Sequence, residues 1–341
     1  MKKYSVLSLI ALIIATTGCN YSTDASPDSV TTIYDSNGAE KCFLDKNGLY
    51  YSFTFYLSNN LCVSVDGDIK NTNYTHLAED ITIPETITTH DGNTYEVIAI
   101  SNNAFRGCTR IKRVKVSDKT KIIGDSAFYK SSLTDITIGS SIEQISKGSF
   151  AECNSLETVV IPNSVIHVCE NAFSGCANLT TLTIGKAVQI IDFPNFSGCN
   201  KLATINFNAT KCVFFGSLRP PLFPSAFTTL NIGSEVQSIP AYFCCSCSGL
   251  ASVTIGHSVT SIGQHAFFNC SSLASLHCKA FTPPALDDEI WSTHYFNPEN
   301  HWINYYDGDL EKFSVLSVPF GTKLAYQSTK GWDSFYTVVE E

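Results

Sequence analysis

The sequence lacks several features that would assign a function directly. Beyond the first 19 residues, no stretch holds the ~18 consecutive apolar residues of a transmembrane helix, which argues against a membrane-spanning body. No G-x-S-x-G or H-E-x-x-H motif is present and the 8 histidines are scattered, so the common hydrolase signatures are missing. We therefore expect no enzyme activity, no cofactor and no metal.

An overall excess of basic charge is also missing, since the formal net charge is -9. A nucleic-acid-binding protein would be basic along a whole face, so we exclude nucleic acid as a partner. Residues 101–130 are the exception, because they hold eight basic side chains and only two acidic ones. The basic residues are Arg106, Arg110, Lys112, Arg113, Lys115, Lys119, Lys121 and Lys130.

Residues 1–19 have the three zones of an export signal. Two lysines precede an apolar run from Val6 to Ile14, and small polar residues then lead to Cys19. This end resembles the lipobox of bacterial lipoproteins, which implies acylation of Cys19 and an outer-membrane or cell-surface location in a Gram-negative bacterium. A plainly secreted protein is the alternative. The polar residues 20–46 predict a flexible tether.

The main feature that is present is a repeat. An apolar strand L-x-x-L-x-I returns about every 23 residues, followed by a Pro or Gly turn, a small residue plus Phe, and a Cys. Its middle apolar residue runs Val114, Ile136, Val159, Leu182, Ile205, Leu230, Val253, Leu276. A fixed period of this length predicts a leucine-rich-repeat solenoid, in which each coil stacks on the next. We assign the Phe step of one late coil to Tyr242-Phe243.

The predicted fold is a β-rich, right-handed solenoid of about 8–9 coils over residues 77–280, with parallel strands on its concave face and little helix. Period-two alternation in residues 47–76 predicts a β-hairpin cap at the N-terminal end. Residues 281–341 are expected to form a C-terminal cap with an aromatic insert at 287–312. In the first coil, Asp91-Gly92 predicts a small extra hairpin.

One coil departs from the repeat between Ile205 and Leu230. The small-residue, Phe and Cys segment is replaced there by residues 214–221, and Phe227 stands where a Leu is expected. We interpret this segment as a bulge on the convex side, with a degraded repeat as the alternative.

Six of the 14 cysteines share one phase of the repeat: Cys108, Cys153, Cys176, Cys199, Cys247 and Cys270. Stacked equivalent positions predict a ladder of buried free thiols, because parallel Cβ vectors make poor disulfide geometry. The Cys244–Cys247 cluster lacks the second pair that a tetrahedral metal site requires. A thiol enzyme using Cys169 or Cys212 would need a histidine partner that the sequence does not identify.

The repeat unit from Ile161 to Ile184 contains I-P-N-S-V, A-F-S-G-C and L-x-x-L-x-I, and it resembles the BspA-like leucine-rich repeats of bacterial surface proteins. The tail motifs V-P-x-G, A-Y-Q and G-W-x-x-F resemble the C-terminal cap of that family. The resemblance covers about Leu49 to Glu341 and implies an extracytoplasmic role. The best known members are adhesins that bind host matrix or other cells, so it implies binding without naming the ligand.

Two sets of residues are candidates for ligand binding. The first set points outward from the strands: Arg113, Lys115, Thr158, Thr181, Thr183, Thr204, Asn206 and Asn231. The second set lies in the aromatic insert: Trp291, Tyr295, Trp302, Tyr305 and Tyr306. A solvated sheet surface and a packed hydrophobic lid are the respective structural alternatives.

The sequence therefore predicts a non-catalytic, monomeric protein for cell-surface recognition or adhesion. Its ligand would be a protein or glycan on a host cell, a bacterial cell or a matrix, and its membrane association would depend on the N-terminal lipid alone. An accessory lipoprotein for glycan or nutrient capture is the alternative, and a cryptic hydrolase or thiol enzyme is a third.

Overall fold

The structure is a computed structural model that describes residues 31–34, 40–44, 49–56, 60–67, 77–89, 92–212, 223–224, 226–287, 315–333 and 335–341. These residues form 24 strands and one helix, which are numbered in chain order. That helix, α1 (Lys323–Ser328), is short, and nothing in the described ranges is a helix with the length and apolarity to span a bilayer. The bulge predicted at 214–221 lies outside the described residues.

The N-terminal part is an antiparallel meander of four strands: β1 (Thr31–Tyr34), β2 (Glu40–Leu44), β3 (Tyr50–Tyr56) and β4 (Asn60–Gly67). The hairpin of β3 and β4 lies where the alternation predicts one. However, β1 and β2 fall within 20–46, where the polar composition predicts a flexible tether. Both strands contain β-branched or aromatic residues, which favour strand structure within a polar segment.

The meander joins the solenoid through one parallel pairing. Strand β4 pairs with β7 (Thr94–Ile100), which places Val65 beside Ile100. Strand β6 (Thr86–Thr88) folds back antiparallel onto β7, so the extra hairpin predicted around Asp91-Gly92 is confirmed.

The L-x-x-L-x-I segments form a parallel front sheet in two parts. The first part holds β5 (Asp80–Thr82), β8 (Arg113–Lys115) and β10 (Asp135–Thr137). The second holds β12 (Thr158–Val160), β14 (Thr181–Ile184), β16 (Thr204–Phe207), β17 (Thr229–Ile232), β19 (Ser252–Ile255), β21 (Ser275–Cys278), β23 (Val315–Val318) and β24 (Thr337–Glu340). The predicted parallel solenoid with little helix is confirmed, and its front sheet continues past residue 280.

A second, back sheet lies on the other side of each coil. It begins with β7, and its further strands are β9 (Ile122–Ile123), β11 (Gln144–Ile145), β13 (His167–Val168), β15 (Ile190–Ile191), β18 (Ser238–Ile239), β20 (Ser261–Ile262) and β22 (Ala285–Leu286). Each of these further strands has only two residues, so its sequence carries no period-two signal. The described sheet is interrupted between β15 and β18, on either side of the irregular coil.

Stacked phenylalanines run along the core between the two sheets. Successive ring centroids from Phe105 to Phe223 are 5.1–6.2 Å apart. The members are Phe105, Phe128, Phe150, Phe173, Phe196 and Phe223. Phe223 belongs to the irregular coil, so that coil keeps the aromatic core position although it has lost the sequence motif. Each such pair contributes about 0.5–1.5 kcal/mol beyond its buried area.

The assignment of the Phe step to Tyr242-Phe243 is wrong by one residue. The Cys244 amide donates to the Ala266 carbonyl, just as the Phe150 amide donates to the Ala172 carbonyl, so the step is Phe243-Cys244. The Phe243 ring instead lies 4.5 Å from Phe207 and 5.7 Å from Phe223, measured between centroids. The Phe243 ring therefore packs against the irregular coil and does not occupy the regular phenylalanine position.

The predicted ladder of buried thiols is confirmed, since the six cysteines of that phase are buried thiols. Three of these thiols donate to a phenylalanine carbonyl of the preceding coil, at 3.0 Å for Cys153 and 3.1 Å for Cys176 and Cys199. In the coil that lacks this cysteine, Ser131 occupies the position and its hydroxyl lies 3.4 Å from Cys153 Sγ.

Candidate binding surface

The outward positions of the front sheet form two rows of polar side chains. Strand pairing places Thr158 beside Thr181 and Thr181 beside Thr204, as the repeat predicts. In the second row, Asn206 lies between Thr183 and Asn231. The two rows bring most of the candidate strand residues together on one face.

Three polar side chains of the second row bond to one another. Asn206 Nδ2 donates to Thr183 Oγ1 at 3.2 Å, and Asn231 Nδ2 donates to Asn206 Oδ1 at 2.9 Å. These side chains are half-buried, so part of their hydrogen-bonding capacity is used within the protein. This arrangement supports a sheet surface stabilised by its own contacts more than it supports a ligand site.

Four of the eight basic side chains in residues 101–130 pair with carboxylates. Arg113 lies 2.6 Å from Asp80, and this hydrogen bond and charge raise the pKa of Arg113. Lys119, Lys121 and Lys130 also form ion pairs, at 3.7, 3.3 and 3.4 Å respectively. Acidic residues of neighbouring coils therefore reduce the excess of basic charge in residues 101–130, which weakens the case for Arg113 as an anion-binding residue.

A groove at the other end of the front sheet offers a different surface. Its volume is about 580 Å³, and it lies across β19, β21 and β23. The lining residues are Ser252, Thr254, His277, Cys278, Lys279, Phe281, Ser317, Val318, Pro319 and Glu341. We call this feature the C-terminal groove.

The C-terminal groove contains both charges and exposed aromatic surface. His277 Nδ1 lies 3.6 Å from Glu341 Oε2, and a hydrogen bond with Ser317 followed by the charge of His277 lowers the pKa of Glu341. Phe281 is 72% exposed on the groove wall. Phe320 lies beside the groove, because its amide donates to the carbonyl of the groove residue Glu341. The Phe320 side chain is 82% exposed. Exposed aromatic rings beside charged groups are typical of binding surfaces.

The repeat pattern predicts only part of this groove. His277 belongs to an outward row, but Lys279 and Phe281 follow the last regular strand, after the repeat has ended. Ser317 and Glu341 join the site because β23 and β24 extend the front sheet. The end of the period at Cys278 is the signal that points to this region.

Several candidate residues cannot be placed on either surface. Cys19 and the five aromatic residues of the insert lie outside the described residues, which stop at Asp287 and resume at Val315.

Comparison with known proteins finds both a family and similar folds. A BspA type leucine rich repeat region matches residues 74–203 and 221–284 in 6 copies. No curated protein matches the sequence.

Solved structures of several bacterial proteins are similar to this chain. A leucine-rich repeat protein from Bacteroides ovatus has 19% identity and a TM-score of 0.39, with 84% of this chain and 86% of that chain covered. The pneumococcal vaccine antigen PcpA has 13% identity and a TM-score of 0.38, covering 88% of this chain and 98% of that one. A leucine rich cell surface protein from Faecalibacterium prausnitzii has 19% identity and a TM-score of 0.33, covering 90% and 96%.

The family match covers more than half of the sequence, and its gap at 204–220 falls in the coil where the repeat is irregular. The stacked parallel strands and the six matched copies lead to the same conclusion: this chain belongs to the family of proteins with BspA type leucine-rich repeats.

Proposed function

We propose that this protein is a non-catalytic recognition protein of the bacterial cell surface, anchored by a lipid on Cys19, and that it binds a protein partner through the C-terminal groove. BspA type repeat proteins are bacterial surface proteins, which supports the location. The export signal and the cysteine at its end support the anchor.

The exposed Phe281 in a groove that also holds the His277–Glu341 contact is the observation that carries this proposal. An aromatic side chain that is 72% exposed leaves apolar area in contact with water, and covering that area with a partner is favourable. The groove volume of about 580 Å³ is sufficient for one or a few side chains of a partner.

The two outward rows are less suited to be the primary contact. In the second row, Thr183, Asn206 and Asn231 already bond to one another, so a ligand would have to compete with those contacts. They can form a polar rim beside the groove, where contacts exclude water without dominating the affinity.

Binding to immobilised ligands tests the proposal. The probes are a panel of purified extracellular matrix proteins, including fibronectin and laminin, and a glycan array. We expect saturable binding to at least one matrix protein, weakened about tenfold or more in the double variant Phe281→Ala, Lys279→Glu. The readout is surface plasmon resonance.

The matched control is Val160→Ala with Lys115→Glu, which removes an exposed apolar side chain and reverses one lysine at the opposite end of the same sheet. This variant should bind normally. If the control loses binding and the groove variant keeps it, the basic end is the site and the groove proposal is wrong. Binding to glycans alone would favour the accessory capture function, and binding to no probe would count against recognition of matrix.

A further inference from the structure

Three chemically reactive side chains lie together on the back sheet, away from the C-terminal groove. His167 is in β13 and Cys169 follows that strand, so alternation places both on the outer side of Val168, which is fully buried. Parallel pairing of His167 with Ile190 and of Val168 with Ile191 continues to Asp192 beside Cys169. Residues from two successive coils therefore meet at one point.

The distances within this cluster are short. His167 Nδ1 lies 3.8 Å from Cys169 Sγ, and His167 Nε2 lies 2.8 Å from Asp192 Oδ2. One donor atom from each residue lies within 4.8 Å of the others, and the three residues are half-buried. In a tetrahedral zinc site the edge between sulfur and nitrogen ligands is about 3.5 Å, so Cys169 and His167 need little movement to share an ion.

A buried asparagine holds the backbone that carries two of these residues. Asn195 is fully buried, and its Nδ2 donates to the carbonyl of Cys169 at 2.8 Å and to that of Asp192 at 2.9 Å. Its Oδ1 accepts from the Phe173 amide at 3.4 Å. Neighbouring turns tied in this way keep the spacing of their side chains, as the supporting residues of a metal site do.

We propose that His167, Cys169 and Asp192 form a binding site for a thiophilic divalent cation, for which zinc is the best fit. Cys169 supplies sulfur and His167 supplies one ring nitrogen from one strand, while Asp192 supplies a carboxylate from the next coil. Nδ1 faces Cys169 and Nε2 faces Asp192, so the imidazole has to turn until one nitrogen faces an ion held between the other two groups. Sulfur, imidazole nitrogen and carboxylate oxygen together are a ligand set that zinc prefers. The remaining coordination position is left for water or for a group on a partner.

The neighbours of Cys169 are themselves metal-ligand types. His167 offers an imidazole nitrogen and Asp192 a carboxylate oxygen, each within 4.8 Å of the sulfur. The histidine partner that the sequence does not identify for Cys169 is His167, and the geometry assigns the pair to metal binding, contrary to the expectation of no metal.

Cobalt serves as the spectroscopic probe for the site. Titration of Co²⁺ into the metal-free, reduced full chain should give one equivalent of binding and a near-ultraviolet thiolate-to-cobalt charge-transfer band. Cys169→Ser should abolish that band, and His167→Gln should weaken zinc affinity about tenfold or more in calorimetry. The matched control is Cys212→Ser, which changes another half-buried thiol outside the ladder and should leave both readouts unchanged.

A second measurement uses the wild-type protein, so it does not require any variant to fold. Zinc should protect Cys169 from alkylation by iodoacetamide, with the modified peptides identified by mass spectrometry. The proposal is overturned if the cobalt band is absent, if it persists in Cys169→Ser, if it is lost in Cys212→Ser, or if zinc leaves the alkylation rate of Cys169 unchanged.

Discussion

At the scale of single residues, the thiol ladder makes the stability of this fold sensitive to alkaline pH. Cys153 is fully buried and donates to the Phe128 carbonyl. Burial raises its pKa from 9.0 to about 11. Burial likewise raises the pKa of Cys270, so the effect is not confined to one coil. These thiols are structural hydrogen-bond donors that must stay protonated in the folded state.

We therefore predict a loss of stability above pH 9. The unfolded thiol ionises at its ordinary pKa of 9.0, while folded Cys153 keeps its proton up to about pH 11. Unfolding thus releases a proton within this window, and the free energy of unfolding falls as pH rises through it. The contribution of Cys153 is about 2–3 kcal/mol.

Urea denaturation at pH 8, 9, 10 and 11 is the measurement, with Cys153→Ala compared with the wild type. The variant should be less stable at pH 8 but should lose less stability between pH 9 and 11. Parallel curves for the two proteins would show that this thiol does not titrate with unfolding.

Individual residues also show where prediction from the sequence ends. The repeat predicts the six cysteines and the outward rows correctly, because each position is fixed by a count along the chain. Phe223 and Cys244 escape that count, since the irregular coil changes the number of residues between equivalent positions. Only the packed structure shows that Phe223 fills the core position of the irregular coil and that Cys244 takes the usual Phe position of the next one.

At the scale of elements, close approach of successive coils depends on glycine at the strand ends. Gly185 follows β14, and a Cβ at this position would overlap the carbonyl oxygen of Pro162 in the preceding coil. The overlapping atom belongs to the backbone, so it cannot move aside as a flexible side chain can. The coil spacing of ~4.8 Å therefore requires glycine here.

We predict that Gly185→Ala lowers the free energy of unfolding by about 3 kcal/mol, because the added methyl group forces two coils apart. Gly92→Ala is the control. Gly92 has a φ of 85°, but a Cβ there would meet nothing within 4 Å, so the expected loss is only about 1 kcal/mol. Urea midpoints of the two variants provide the test, and equal losses would contradict the steric explanation.

The two sheets differ in how far the sequence predicts them. The front strands carry alternation over several residues, and their ranges and pairing follow from the repeat. The back strands after β7 have two residues each, as at Ser261–Ile262, and are recognised only once the coils are stacked. The C-terminal groove is harder still to predict, because β23 joins β19 and β21 in forming it only after residues 279–314, where the repeat has ended.

At the scale of the whole molecule, stability is distributed along the stack. Neighbouring coils contact each other through the strands of the two sheets, and over much of the stack also through the phenylalanine column and the thiol ladder. In such an array the total stability is close to a sum of coil and interface contributions. The length of the array can therefore change in whole coils without loss of the fold.

Deletion of residues 136–158 tests this property. It removes one repeat period, so that Asp135 precedes Val159 and all later coils keep their register. We predict a folded protein with a cooperative but shallower urea transition, since less surface is exposed on unfolding. Circular dichroism and limited proteolysis measure the outcome.

Deletion of residues 136–147 is the control, because it removes about half a coil and shifts inward side chains out of phase. This shorter deletion should give a proteolysed, non-cooperative protein. If both deletions behave alike, the coils do not act as interchangeable units.

The parallel pairing of coils also has a mechanical consequence. A chain fixed to a membrane at one end and to a partner at the other would transmit tension along the axis of the stack. Because strand pairing joins each coil of about 23 residues to its neighbours, tension would release coils one at a time from an end. Each release converts a rise of ~4.8 Å into an extended segment of roughly 75 Å, so the stack can absorb load in steps while the remaining coils stay folded.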